Sequence, residues 1–178
     1  MRVIAGKFKG RRLRPPAWDG LRPTSDKLRE TLFNILAPRL EGARLLDGCA
    51  GTGAVGIEAL SRGAAHVTFI EKDRRAVALI EANLAVCGVA AGYTIEHRDL
   101  IAGLRHAAGA AYDIVWLDPP YDSADIGDAL AAASGILAPG GLVVLERATR
   151  REPDTPASLA RVRDVKSGDS TLTFFIRP

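Results

Sequence analysis

The sequence predicts one α/β domain: a mostly parallel sheet with helices on both faces, closed by an antiparallel hairpin. Three observations predict it. From residue 43 onward, short apolar runs alternate with stretches of helical periodicity, the pattern of strand–helix–strand units. The first such run leads into a glycine-rich turn, Gly51-Thr52-Gly53-Ala54-Val55-Gly56, of the form G-x-G-x-x-G. Acids then fall at the carboxyl ends of four successive strands (Asp47, Glu71, Asp99 and Asp118), the edge where open α/β sheets place ligands. A chain of 178 residues is one domain by length and can bury its own core.

Taken in order, Val3–Gly6 and Arg11–Arg14 flank a Gly/Lys-rich turn, Gly6 to Gly10, and read as a basic β-hairpin. Pro15-Pro16 ends it, so residues 1–22 form an arm and linker. Thr24 or Ser25 then caps a helix within 23–38 that carries Leu28, Leu32, Ile35 and Leu36 on one face and stops at Pro38. The core spans 43–178. Its strands are expected at 43–47, 65–70, 92–96, 112–117 and 141–146, with helices near 54–62, 73–87, 100–107 and 123–137. Asp73 caps the second of these helices and Gly88 closes it; Ser123 is expected to open the last. Residues 159–166 and 170–177 read as two strands around the Gly168-Asp169 turn, and an antiparallel addition of this kind to a parallel sheet is common.

Charge is distributed unevenly. The net charge is +3, yet residues 1–22 hold seven Lys or Arg (Arg2, Lys7, Lys9, Arg11, Arg12, Arg14, Arg22) against Asp19 alone. This segment is therefore +6 and the remainder −3, which points to a polyanionic partner for the arm, although a basic tail can also be merely solvated. Cys49 and Cys87 lie far apart, and His66, His97 and His106 form no cluster, so neither a disulfide framework nor a metal site is indicated. No apolar run approaches the ~18 residues of a membrane span, and the first residues do not begin a signal peptide; a cytoplasmic location is expected.

The glycine turn is the candidate cofactor site. Gly48, Gly51 and Gly53 let the backbone turn tightly and approach a ligand. Glu71, twenty residues after Gly51, can accept both hydroxyls of a ribose, so an adenosine-containing cofactor is expected. A nicotinamide dinucleotide fits the literal motif, but Asp47 would repel its pyrophosphate. An acid there suits a cationic ligand, Asp99 could receive an adenine amine, and four acids along one edge favour S-adenosylmethionine, whose sulfonium and ammonium groups are positive. Cys49 reads as a small packing residue rather than a nucleophile, because acids rather than cations are expected around it.

The fourth strand ends in Asp118-Pro119-Pro120-Tyr121. Asp118 can accept a hydrogen bond from an exocyclic amine. Pro119 and Pro120 fix φ and remove two donors, so carbonyls there can face a substrate. Tyr121 offers a flat ring for a planar base, worth roughly 1–3 kcal/mol per stacked base. Two acceptors and a ring suit an enzyme acting on the NH2 of a base or amide; a plain proline turn is the bland alternative.

These residues resemble a class I S-adenosylmethionine-dependent methyltransferase, and more closely the RsmD family of bacterial 16S rRNA guanine-N2 methyltransferases. The resemblance runs through Arg2-Val3-Ile4-Ala5-Gly6 and Gly10-Arg11-Arg12-Leu13, and then through Leu21 to Asn34. It continues in Leu46 to Gly53, Glu58 to Ala64 and the Asp118–Tyr121 tetrapeptide. The glycine loop is shared by all class I methyltransferases and the tetrapeptide by several that act on amines. Arg22-Pro23-Thr24 with Arg29-Glu30-Thr31-Leu32-Phe33-Asn34 is the discriminating part.

The resemblance implies a Rossmann-like, seven-stranded sheet and methylation of the guanine conventionally numbered 966 in 16S rRNA, within the small ribosomal subunit or its precursor. The short chain and full sheet are compatible with a monomer, and the expected chemistry needs no metal. The candidate catalytic set is Asp118, Pro119, Pro120 and Tyr121. The candidate cofactor set is Thr24, Asp47, Gly48, Cys49, Ala50, Gly51, Thr52, Gly53, Glu71, Lys72, Asp99, Leu100 and Asp118, and the seven basic residues of the arm are the candidate RNA contacts. A DNA adenine-N6 enzyme, a protein glutamine-N5 enzyme and a non-catalytic rRNA-binding factor compete with this reading. Glutamine methylation usually has Asn in the first tetrapeptide position, and a DNA enzyme commonly adds a recognition domain for which 178 residues leave no room.

Overall fold

In the computed structural model, which describes residues 1–21 and 24–178, the strands are β1 (Arg44–Gly48), β2 (His66–Glu71), β3 (Tyr93–His97), β4 (Tyr112–Leu117), β5 (Leu137–Ala148), β6 (Ala160–Ser167) and β7 (Ser170–Ile176). The helices are α1 (Asp26–Leu36), α2 (Ala54–Ser61), α3 (Arg74–Cys87), α4 (Leu100–His106) and α5 (Ile126–Gly135). All seven strands join one sheet in the order β3-β2-β1-β4-β5-β7-β6. Neighbours from β3 to β5 pair in parallel, and β7 is antiparallel to both β5 and β6, so β7 alone runs against the rest. The mostly parallel sheet closed by a hairpin is the expected architecture.

That order fixes where a ligand can go. From β1 the chain steps outward to β2 and β3, then returns to the other side of β1 for β4 and β5. The β1/β4 junction is thus the switch point of a doubly wound sheet, and the crevice lies beyond the carboxyl ends of these two strands. The Asp118 N–H donates to the Gly48 carbonyl at 3.1 Å and holds the two strand ends together.

Alternation along the strands builds a core on each face. Leu45, Ile114, Trp116, Leu142 and Val144 pack with the arm, α1, α2 and α3; Leu46, Val115, Leu117, Val143 and Leu145 pack with α4 and α5. Strands buried on both faces read as continuous apolar runs for this reason. Each fully buried Phe, Leu or Ile in these layers contributes roughly 1.5–3 kcal/mol.

Three boundaries differ from expectation. The last helix starts at Ile126, not Ser123, because the Ser123 N–H closes a turn onto the Pro120 carbonyl (2.9 Å), and Asp125 takes the N-cap position without a side-chain bond. Leu137, expected at its end, already belongs to β5, where it pairs with Tyr112. The N-terminal hairpin is reduced to one bridge, Arg2 to Arg12. The N–H groups that would extend the ladder go elsewhere: those of Ile4 and Ala5 donate to the Glu58 carboxylate at 2.7 and 3.0 Å, and that of Lys7 to the Ser61 carbonyl at 2.7 Å. Ser25 rather than Thr24 caps α1, accepting from the Leu28 N–H.

The arm is docked rather than loose. Val3 and Leu13 are buried in the core, and the fully buried Arg29 of α1 donates to the Arg2 carbonyl at 2.8 Å and to Asp26 at 2.6 Å. No helix among the described residues is long and apolar enough to cross a membrane.

Candidate active site

A cleft of about 1010 Å³ opens at the switch point, large enough for a nucleoside cofactor and a base together. Asp47, Glu71, Asp99 and Asp118 all line it, as do Cys49 to Thr52, Lys72, Leu100, Thr24 and the Pro119–Tyr121 stretch. Gly48 and Gly53, the other two glycines of the candidate cofactor set, do not line it. Gly53 adopts φ +74° at the N-cap of α2, a conformation that favours glycine, and it carries no capping side chain.

The acids do backbone work as well as facing the cleft. Asp47 supplies the missing cap of α2 by accepting from the Gly56 N–H at 2.8 Å. Glu71 accepts from the Gly51 N–H at 2.9 Å and the Asp73 N–H at 2.8 Å, which sets the glycine loop over the end of β2. Asp99 caps α4 through the Ala102 N–H at 2.9 Å. An ionised carboxylate has about four acceptor positions, so Glu71 retains capacity for ribose hydroxyls after these two bonds.

Electrostatics fit a cationic ligand. Burial pushes the Asp47 carboxyl up to about 7, the Gly56 N–H opposing and the Glu71 charge adding to the rise. Burial also pushes the half-buried Cys49 thiol up to about 12, reinforced by the charges of Asp118, Glu71 and Asp47 and opposed by Lys72. A thiol so disfavoured as thiolate is no nucleophile; burial is the main cause and the neighbouring carboxylates add to it. A donor set made of carboxylates and close-packed glycine backbone suits a sulfonium and an ammonium, and would repel a pyrophosphate.

The tetrapeptide forms the opposite wall. Asp118 is half-buried and receives a long 3.4 Å hydrogen bond from the Thr24 hydroxyl, which places Thr24 beside the target side of the cleft. The Pro120 carbonyl is engaged by Ser123, leaving the Pro119 carbonyl as the candidate second acceptor. The Tyr121 hydroxyl lies 2.7 Å from Ser170 Oγ and 3.1 Å from Glu146 Oε1.

Among the cleft residues that were not anticipated, four stand out. Glu146 and Ser170 come from strands far apart in sequence, and no local motif marks them. Trp18 and Leu21 belong to the linker, whose residues 18–21 line the cleft: the Arg75 guanidinium at the start of α3 lies 4.9 Å from the Trp18 ring, and Leu21 packs where a side chain on Gly51 would sit. The Trp and Leu between a proline pair and a helix cap were the available signal.

The basic residues are not gathered at the cleft. Arg2, Lys7, Lys9, Arg11, Arg12 and Arg14 are all exposed, whereas Arg22 lies outside the described residues. Arg14 sits near the rim, its N–H bonded to Asn83, which in turn donates to the Thr52 carbonyl. Lys7 and its neighbours pack on Ser61 at the far end of α2, about 12 Å away along an eight-residue helix. The arm is a stripe leading away from the cleft.

A doubly wound sheet with a reversed β7, a glycine loop between β1 and α2, and acids along its carboxyl edge defines a class I, S-adenosylmethionine-dependent methyltransferase. Comparison with known proteins narrows this. The family model described as conserved hypothetical protein 95 matches residues 1–176. Ribosomal RNA small subunit methyltransferase D of Escherichia coli K12 is 36% identical over 180 residues, covering 99% of this chain and 90% of that protein. Its Haemophilus influenzae namesake is 34% identical, covering 94% and 89%. Among solved structures, the E. coli protein yhhF superposes with a TM-score of 0.88 at 36% identity, over 99% of this chain and 97% of that one. TrmN from Thermus thermophilus, at 22% identity and a TM-score of 0.71, covers 85% of this chain and 48% of its own and shares the fold. The chain belongs to the conserved hypothetical protein 95 family, the RsmD family of methyltransferases.

Proposed function

We propose that the protein transfers a methyl group from S-adenosylmethionine to the exocyclic N2 amine of a guanine in 16S rRNA, presented by the small ribosomal subunit or its precursor. The observation that carries this reading is the juxtaposition at the switch point. The acidic glycine-loop wall faces a wall made of Asp118, the Pro119 carbonyl and the Tyr121 ring. Relatives named ribosomal RNA small subunit methyltransferase D support rRNA as the substrate class.

Glu71, Asp47 and the backbone of Cys49 to Thr52 would hold the cofactor, with Lys72, Asp99 and Leu100 at its adenosine end. When bound, S-adenosylmethionine supplies an electrophilic methyl on a positively charged sulfur. The chain's own residues do the rest. Tyr121 stacks on the base, which leaves its surroundings at a cost of a few kcal/mol, least for an unpaired base. Asp118 and the Pro119 carbonyl accept from the amine, draw its lone pair out of conjugation with the ring and aim it. The proton that the amine sheds passes to Asp118 or to solvent. Positioning of this kind can supply roughly 7–11 kcal/mol of the barrier reduction. The exposed arm residues Arg2, Lys7, Lys9, Arg11, Arg12 and Arg14, together with Arg22, would hold rRNA phosphates.

The test is transfer of labelled methyl to unmethylated small subunits, free 16S rRNA and duplex DNA, followed by nucleoside analysis. N2-methylguanosine from the subunits or the rRNA is the expected product. N6-methyladenine in DNA would overturn the substrate, and cofactor binding without transfer to any of the three would favour a binding factor.

A further inference from the structure

We infer that Glu146 and Ser170 are positioning residues that fix where the Tyr121 ring lies, so that the C-terminal hairpin completes the target-base platform. The inference rests on the methyl-transfer reading above and adds residues to it. Ser170 opens β7 opposite Ala148 of β5, and Glu146 lies two residues back along β5; paired residues of antiparallel strands share a face, so the two side chains are diagonal neighbours. The Ser170 hydroxyl donates to Glu146 Oε1 at 3.1 Å, and the Tyr121 hydroxyl sits 2.7 Å from Ser170 and 3.1 Å from the same carboxylate oxygen.

The proton order follows from the groups. A carboxylate only accepts, so Tyr121 donates to Ser170 or Glu146, and Ser170 donates to Glu146. A phenol O–H lies in the plane of its ring, so these partners favour one ring orientation as well as one position. Burial holds the phenol above its ordinary value of 10.0, with the Ser170 bond opposing and the Glu146 charge adding to the rise, so it stays neutral as a donor.

The other end of Tyr121 is held too. Arg151 donates to the Tyr121 carbonyl. The turn carrying Arg151 is organised by the buried Arg147, whose guanidinium donates to the Arg151 carbonyl at 2.7 Å and pairs with Glu152 and Asp164 at 3.2 Å. Backbone and hydroxyl are thus both fixed before any base arrives, and stacking requires little ordering of the platform. Direct phosphate binding by this cluster is disfavoured, because the nearly buried carboxyl of Glu146 lies within it.

The test uses the full chain with ring-labelled tyrosine, of which there are three, the Tyr121 signal being identified by its loss in Tyr121→Phe. Ser170→Ala and Glu146→Leu are expected to shift the Tyr121 ring signals, whereas Glu146→Gln, which keeps an acceptor oxygen, restores them. On rRNA, Ser170→Ala should lower kcat about tenfold, the scale of one lost hydrogen bond, with cofactor Kd unchanged. In a Tyr121→Phe background the same substitution should cost nothing further. Unchanged ring signals, or an equal kcat loss in both backgrounds, would overturn the inference. The two claims fail separately: an rRNA-inactive wild type whose ring signals respond to Ser170→Ala would sink the functional reading and keep the positioning role.

Discussion

On the half of the cleft bounded by β1, β2 and β3, backbone N–H groups donate to carboxylates close by in the fold: Gly56 to Asp47, Gly51 to Glu71 and Ala102 to Asp99. On the half bounded by β4, β5 and β7, side chains distant in sequence bond one another, as in Tyr121 with Glu146 and Ser170. The first arrangement shapes the loops after β1, β2 and β3, where each strand leads into a helix. The second aims one aromatic ring and depends on the whole sheet being assembled. The cofactor half should therefore bind its ligand on its own terms, and the target half should govern turnover.

The largest effect tests that division. Asp118→Ala should lower methyl transfer by about 10³-fold while cofactor affinity, read by calorimetry, stays close to wild type; a comparable loss in affinity would merge the two halves. Glu71→Ala should do the reverse. It removes the carboxylate proposed to hold the ribose and the support of two backbone N–H groups, so cofactor Kd should weaken about 100-fold.

The pH dependence of binding is smaller and is expected from Asp47. Its carboxyl ionises near 7, and the ionised form attracts a cation, so cofactor affinity should rise about tenfold between pH 5.5 and 7, below most of the titration of the ligand's own amine. Asp47→Asn should flatten that profile. The linkage has the opposite sign for the empty fold: the folded carboxyl holds its proton above the unfolded value of 3.8, so its contribution to stability is full below 3.8 and lost as pH rises through 7. Thermal melts of the ligand-free chain across that window check it.

The smallest effect concerns the arm. Replacing Lys7 and Lys9 by Ala should weaken small-subunit binding severalfold at low salt and reduce the salt slope by about two if each neutralises one phosphate. An unchanged slope would remove the far end of the stripe from the interface.

The same contrast explains what could be read in the sequence. The glycine loop, Glu71 and Asp118 were legible because each lies at a strand end whose register is set by local apolar runs. Glu146 and Ser170 were not, since their meeting depends on the β5–β7 pairing, which no short motif encodes. The start of α5 was misplaced for a related reason: Ser123 is a good cap by type, but its N–H closes the tetrapeptide turn instead. In the arm, charge was readable but placement was not, because Glu58 and Ser61 of α2 draw the backbone away from a ladder.

The most direct measurement is a crystal structure with S-adenosylhomocysteine bound. The division predicts its ribose hydroxyls on Glu71, its amino group on the Asp47 side of the glycine loop, and the Tyr121 ring left uncovered. A nucleoside stacked on Tyr121, with Glu71 still bonded only to Gly51 and Asp73, would contradict it.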